Sequence, residues 1–278
     1  MTARTAVVSV LIGLSGACAA ADGGGMPTGE HVHSLATTAD GGLLLGLHGG
    51  LYRSDDGARW ELLGLDGEDA MVIATAGDGE PVFVAGHEVL SRSDDGGATF
   101  SPLTPPDLPG MDIHGFAQSP ADPRVVYAFV VGHGLFGSRD AGETWEARAS
   151  IESIPRDVFG LAVAGSDSET VVMVGPESGV HRSEDGGRSF ERVFEVPSGA
   201  VAVDEQAPDV VWVLTAAGLA RSDDAGGTWE ISSTLDGVEG QPVTLAADGE
   251  ELWVVTEQPR ALYRSDDTGG SWQKVSST

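Results

Sequence analysis

Three observations predict an all-β chain folded as a six-bladed β-propeller with four-stranded antiparallel blades. A segment of the form S-x-D-x-G-x-[ST]-[WF] recurs at Leu90–Phe100, Leu135–Trp145, Val180–Phe190, Leu219–Trp229 and Leu262–Trp272, with a copy one residue shorter at Leu51–Trp60. Its serines (Ser54, Ser93, Ser138, Ser183, Ser222 and Ser265) are spaced by 39, 45, 45, 39 and 43 residues, and four short strands fit in each interval, as in a propeller blade. Glycine, 40 of 278 residues and about twice its average share, supplies the many tight turns such a fold needs.

The elements follow in order. Residues 1–25 form a leader: Arg4 precedes the apolar run Ala6–Leu14, which ends in small residues around Cys18. A nine-residue run is too short to span a bilayer and suits a signal peptide. Cleavage at an A-x-A site and lipoprotein processing before Cys18 both remain open. The chain's only cysteine and the Ala-Asp-Gly-Gly-Gly stretch after it favour the lipid anchor. Residues 26–278 are then a single propeller with blades of about 30–66, 67–106, 110–150, 155–196, 197–235 and 240–278. The third shows the pattern: apolar Ile113–Ala117, Val125–Val131, Gly134–Ser138 and Thr144–Ala147, with Gly, Pro and Asp between them. Each unit begins on the innermost strand and ends on the outermost. Closure of the ring thus needs no borrowed strand, although residues 26–30 can assist.

Composition narrows the function. With 43 Asp and Glu against 15 Lys and Arg, a net charge of -28 leaves no basic face for a phosphate backbone. Nucleic acid is excluded as a partner, and a membrane is expected only through the lipid anchor. A basic protein partner stays open, and a monomer is expected.

The recurring segment resembles the Asp-box, or BNR repeat, of sialidases, sortilin-type receptors, some glucanases and photosystem II assembly-factor propellers. The resemblance covers the chain from about residue 30 onward and implies a structural turn between the third and fourth strands. In it Asp56, Asp95, Asp140, Asp185, Asp224 or Asp267 bonds turn amides and a nearby hydroxyl, and the closing aromatic packs on the blade. Calcium is the alternative, although the EF-hand spacing is absent. Sialidase chemistry is not expected. Arg53, Arg92, Arg182, Arg221 and Arg264 share one repeat position beside the turns, so they ring the outside instead of converging on a substrate carboxylate.

The histidines are distributed otherwise. His31 and His33 begin the innermost strand of blade 1 and His114 that of blade 3, while His48, His87 and His133 stand between the second and third strands of blades 1, 2 and 3. Six of seven histidines therefore fall on one rim, opposite the repeated turns. Aligned innermost strands place Met71, His114, Phe159, Gly199 and Val243 where blade 1 has His33, and Asp69, Asp112, Asp157, Pro197 and Gln241 where it has His31. Imidazole, thioether and carboxylate together suit copper or zinc. The same groups could instead hold a polar organic ligand, or simply satisfy strand ends.

The segments His31–Leu35, Leu47–Leu51, Ala85–His87 and Asp112–Phe116 also resemble the spaced motifs of a family of exported bacterial propellers labelled glycosyl hydrolases. The family pattern reads H-[IV]-H-G-L, T-H-x-G-L, M-G-F, S-G-H-P and F-H-G. This chain departs from it at Ser34, Leu47, Val72, Ile73 and Glu88 and keeps the histidines. Three functions are thus expected in order: a non-catalytic propeller binding a metal ion, small polar ligand or partner at the mouth of the channel; a hydrolase using Asp69, Asp112 or a metal-bound water; and an assembly-factor propeller.

Overall fold

The computed structural model describes residues 25–29, 31–76, 81–204 and 206–278. The leader and Cys18 lie outside the described residues. Among these, 24 strands form six four-stranded antiparallel sheets and no helix occurs. Each sheet takes its four strands in chain order, and the chain has the predicted six-bladed architecture. The innermost strands are Val32–Thr37, Val72–Ala74, Ile113–Gln118, Gly160–Ala164, Ser198–Val203 and Gln241–Asp248.

Second strands such as Leu43–Leu47, Val126–Val130 and Val211–Thr215 are buried along their whole length, which explains their continuous apolar runs. The core consists of six apolar clusters, each between neighbouring blades. Phe83 of blade 2 packs with Phe116 and Trp145 of blade 3, for example, and Trp212 of blade 5 with Leu245 and Val254 of blade 6. Burying a side chain such as Phe83, Phe116 or Phe129 contributes roughly 1.5–3 kcal/mol. The innermost strands enclose an axial void of about 110 Å³, lined by Leu35, Ile73, Phe116, Leu161, Val201 and Leu245. Thr37, Thr75 and Gln118 also line it.

The repeated turns behave alike. In blade 2 the Ser93 hydroxyl donates to Asp95 Oδ1 (2.7 Å) and accepts from the Gly97 amide (2.8 Å), while Asp95 accepts from the Thr99 amide (2.8 Å) and hydroxyl (2.7 Å). These hydrogen bonds hold the Asp95 carboxyl down at about 2. The hydroxyl and amide bonds of Thr144 likewise depress Asp140. Asp185, Asp224 and Asp267 repeat the pattern. The short first turn differs: Asp56 accepts from the amides of Ala58 and Arg59 instead. In three of the blades, the indoles of Trp60, Trp145 and Trp229 donate back to the turn carbonyls of Gly57, Gly142 and Gly226.

Closure joins blade 6 to blade 1 through direct packing of Trp253, Val255 and Leu262 on Leu35, Leu43 and Leu45. The entering segment adds to it. Met26 is buried in the same cluster and its amide donates to Ser277 O (3.4 Å). Arg260 donates to Pro27 O (2.6 Å) and pairs with Glu257, whose Oε1 accepts the Val32 amide (3.2 Å).

Candidate metal centre

Four of the innermost strands carry a β-bulge near their start. Pairing slips between Val32 and Ser34, around Gly115 and Ile113, between Ser198 and Ala200, and between Pro242 and Thr244. The extra residues are His33, His114, Gly199 and Val243. A bulge redirects the side chain it carries, and in blades 1 and 3 that side chain is an imidazole at the channel mouth.

Each bulged histidine meets a histidine from a hairpin between second and third strands. His33 Nε2 lies 3.3 Å from His48 Nδ1, and His87 Nε2 lies 3.1 Å from His114 Nε2. A carboxylate completes each group. Asp69 Oδ1 is 3.5 Å from His33 Nε2 and 3.4 Å from His48 Nδ1, and Asp112 Oδ1 is 3.2 Å from His114 Nε2 and 3.5 Å from His87 Nε2. Hairpin and strand register bring them together: the Ala70 amide donates to Leu47 O across blades 1 and 2, and His87 bridges to Asp112 across blades 2 and 3.

Asp69 is the most enclosed member, 7 % exposed. Its Oδ2 makes a short 2.5 Å contact with His87 Nδ1, whereas Oδ1 accepts no hydrogen bond. Asp112 Oδ1 is likewise buried without a donor. Burial pushes the His33 imidazole down, opposed by Asp69 and reinforced by His48, His31 and His87. His114 is lowered in the same way, by burial first, against the pull of Asp112. Both are thereby favoured as neutral rings with a lone pair to offer. His48, Asp69, His87 and Met111 also line an open groove of about 810 Å³, so the site is reached from solvent.

The other two expected histidines belong to neither group. His31 is exposed just before its strand and belongs to neither group; the preceding blade's hairpin there carries Arg260, paired with Glu257, where a histidine would be needed. His133 also belongs to neither group. Its hairpin has three residues, with Gly132 at φ +77°, where blades 1 and 2 have two. The aspartate it would have met, Asp157, is taken by its own hairpin, accepting from the amides of Glu177 (2.8 Å) and Ser178 (2.9 Å). Met71 is buried at the position corresponding to His33. Phe159 went unassigned in the sequence although it aligns with His33: it is 52 % exposed, its ring 5.8 Å from that of His114. The arginines are engaged near the opposite turns, Arg92 with Asp94 and Glu143, Arg182 with Glu184 and Ala225 O, and Arg264 with Glu251 and Asp266.

Fold and mouth together define a six-bladed β-propeller with a His- and Asp-lined opening. No protein-family model and no curated protein matches the sequence. Among solved structures, the chain is similar to a GH74 enzyme of Niastella koreensis, at 17% identity and a TM-score of 0.63 over 90% of this chain and 45% of that one. It is also similar to the GH74 xyloglucanase of Xanthomonas campestris, at 20% identity and TM-score 0.59, covering 88% and 45%. The chain therefore spans under half the length of both enzymes. YCF48 from Cyanidioschyzon merolae aligns at 17% identity and TM-score 0.54, covering 90% of this chain and 86% of that one. At these identities the likeness is one of fold.

Proposed function

We propose that this chain is an exported, non-catalytic propeller, anchored through an acylated Cys18, that binds zinc or copper at its histidine-rich mouth. The carrying observation is Asp69, a nearly buried carboxylate whose Oδ1 has no donor and faces the ring nitrogens of His33 and His48. A buried acceptor left without a partner costs roughly 1–3 kcal/mol, and a bound cation removes that cost. A hydrogen bond between the two imidazoles would account for one contact and still leave the carboxylate oxygen unmatched.

The finer identity belongs with this proposal. The six turns read as Asp-boxes, with a structural role, and the mouth segments read as those of the exported propellers labelled glycosyl hydrolases. A ligand role suits Asp69 better than hydrolysis, because the carboxylate is enclosed and committed to His87. A protein partner at the same mouth is the second reading, favoured by the exposed Phe159 ring beside His114; nucleic acid is disfavoured by the charge of -28.

The test is elemental analysis of the purified full chain, followed by titration of the metal-stripped protein with Zn²⁺ and Cu²⁺. Stoichiometric uptake that is clearly reduced in Asp69→Asn is expected. Weak uptake equal in parent and variant overturns the proposal.

A further inference from the structure

We infer that the mouth holds two metal ions, coupled through Asp69 and His87; the inference rests on the metal-binding reading above. The six side chains divide into two groups of three, His33–His48–Asp69 and His87–Asp112–His114. In the first, the ligand atoms stand 3.3, 3.4 and 3.5 Å apart, and in the second 3.1, 3.2 and 3.5 Å apart. A tetrahedral ion with ligands at about 2.0–2.1 Å has edges of about 3.3–3.4 Å. Both triangles therefore match one face of such a tetrahedron.

A single ion cannot use both groups. Asp69 Oδ2 engages His87 Nδ1 at 2.5 Å, so His87 Nε2 lies on the far side of its ring and faces His114, away from Asp69 Oδ1. Asp69 thus divides its two oxygens between a direct ligand role in one group and orientation of His87 in the other. The second role is that of the carboxylate behind a metal-bound histidine, which fixes the tautomer and raises the basicity of the ligand. Here the same carboxylate also meets the first ion. Occupation of the first position draws charge from Asp69 and weakens its support of His87, so the second ion binds more weakly than the first.

Each group supplies three protein ligands, and an ion so held keeps a coordination position for water or an outside ligand. His48 and His87 are 50 % and 45 % exposed, which puts those open positions toward solvent. A small anionic or nitrogen-donor molecule that spans both ions is the class of ligand the mouth would accept.

Calorimetric titration of the metal-stripped full chain with Zn²⁺ tests the inference, with thermal melting of every variant as a check on folding. The parent is expected to take up two equivalents of unequal affinity. His48→Ala, at a half-exposed position, should remove one equivalent and leave the other, and His114→Ala should do the converse. Asp69→Asn should abolish the first and weaken the second by about 10–100-fold, the usual cost of losing the group behind a ligand. One equivalent in the parent, lost in both His48→Ala and His114→Ala, overturns the two-ion inference and leaves the metal reading standing. No specific uptake by the parent overturns both.

Discussion

Asp69 and Asp157 occupy the same place at the start of the innermost strands of blades 2 and 4, yet their surroundings give them opposite roles. The cause is the hairpin above each. In blade 4, Pro176, Glu177 and Ser178 form a three-residue hairpin between Gly175 and Gly179. It turns two amides onto Asp157 Oδ2. Burial alone would raise the Asp157 carboxyl, but those amides outweigh it and hold the group below its ordinary value. In blade 2 the hairpin is only His87 and Glu88, with Glu88 at φ +60°. The Glu88 amide goes across to Met111 O (2.9 Å), so Asp69 receives an imidazole in place of amides. Hairpin length alone does not decide this: Asp112 lies under the three-residue hairpin Val131–His133, whose Val131 amide goes to the Asp112 backbone carbonyl and not to its carboxylate.

The sharpest way to break that comparison is to neutralise each aspartate. Asp69→Asn is expected to eliminate metal uptake at the first position while leaving the metal-free melting temperature nearly unchanged or raised, since a donorless carboxylate oxygen is removed. Asp157→Asn should show the reverse: unchanged uptake and a lower melting temperature, because the loss of charge weakens two amide hydrogen bonds, worth roughly 1 kcal/mol at this half-buried position. Equal effects on uptake would mean that the hairpin does not divide the roles.

The backbone offers a second, smaller contrast. A Cβ at Gly86 would lie 2.1 Å from Asp69 O, and one at Gly175 would lie 2.6 Å from Asp157 O. Both Gly→Ala changes should destabilise by about 1–3 kcal/mol through overpacking. Only Gly86→Ala should also reduce metal uptake, measured by the same titration, because only there does the displaced strand carry a ligand.

Much of this was legible in the sequence. The repeated Ser, Asp and Gly mark the turn between third and fourth strands, and their spacing marks the blades, because the same local hydrogen bonds are rebuilt in each unit. Alignment of the innermost strands put His33 and His114 at one position, and the structure shows that position to be a bulge in both blades. What stayed hidden was convergence. His133 looks equivalent to His48 and His87 until its hairpin is seen to be one residue longer and Asp157 is seen to be capped. Asp69 was legible as a carboxylate at the mouth and as a candidate for hydrolysis; its enclosure beside His33, His48 and His87 comes only from the packing of blades 1 and 2. Hairpin length is the sequence signal that could have set His133 apart from His48 and His87.

The opposite rim supplies a control, since its turns do not distinguish the two halves. Their aspartates are depressed by hydroxyl and amide hydrogen bonds, Asp95 to about 2, against roughly 3.9 in an unfolded chain. A carboxyl lowered on folding contributes stability above its unfolded value and loses it as pH falls through the folded one. Stability should therefore decline from about pH 4 toward pH 2. Asp95→Asn and Asp185→Asn should both lower the melting temperature at neutral pH and flatten this decline, with equal metal uptake. A loss of uptake in either would tie the turns to the mouth.

The smallest expected effect tests whether a bulged histidine suffices. Gly199 is the bulged residue of blade 5, and a Cβ there meets nothing within 4 Å, so Gly199→His should change stability by no more than about 0.5 kcal/mol. The new imidazole would stand where His33 and His114 stand in their blades. Yet neither arrangement is available there. Where blade 1 uses His48 of its own hairpin and Asp69 of the next blade, blade 5 has Ala216, Ala217 and Gln241. Where blade 3 uses His87 of the preceding hairpin and its own Asp112, blade 5 has Pro176–Ser178 and Pro197. If an ion needs the bulged ring, the hairpin ring and the carboxylate together, this variant binds no additional equivalent. An added equivalent of comparable affinity would show that the bulge alone creates a site, and the contrast between the two halves of the mouth would then reduce to which blades carry histidine.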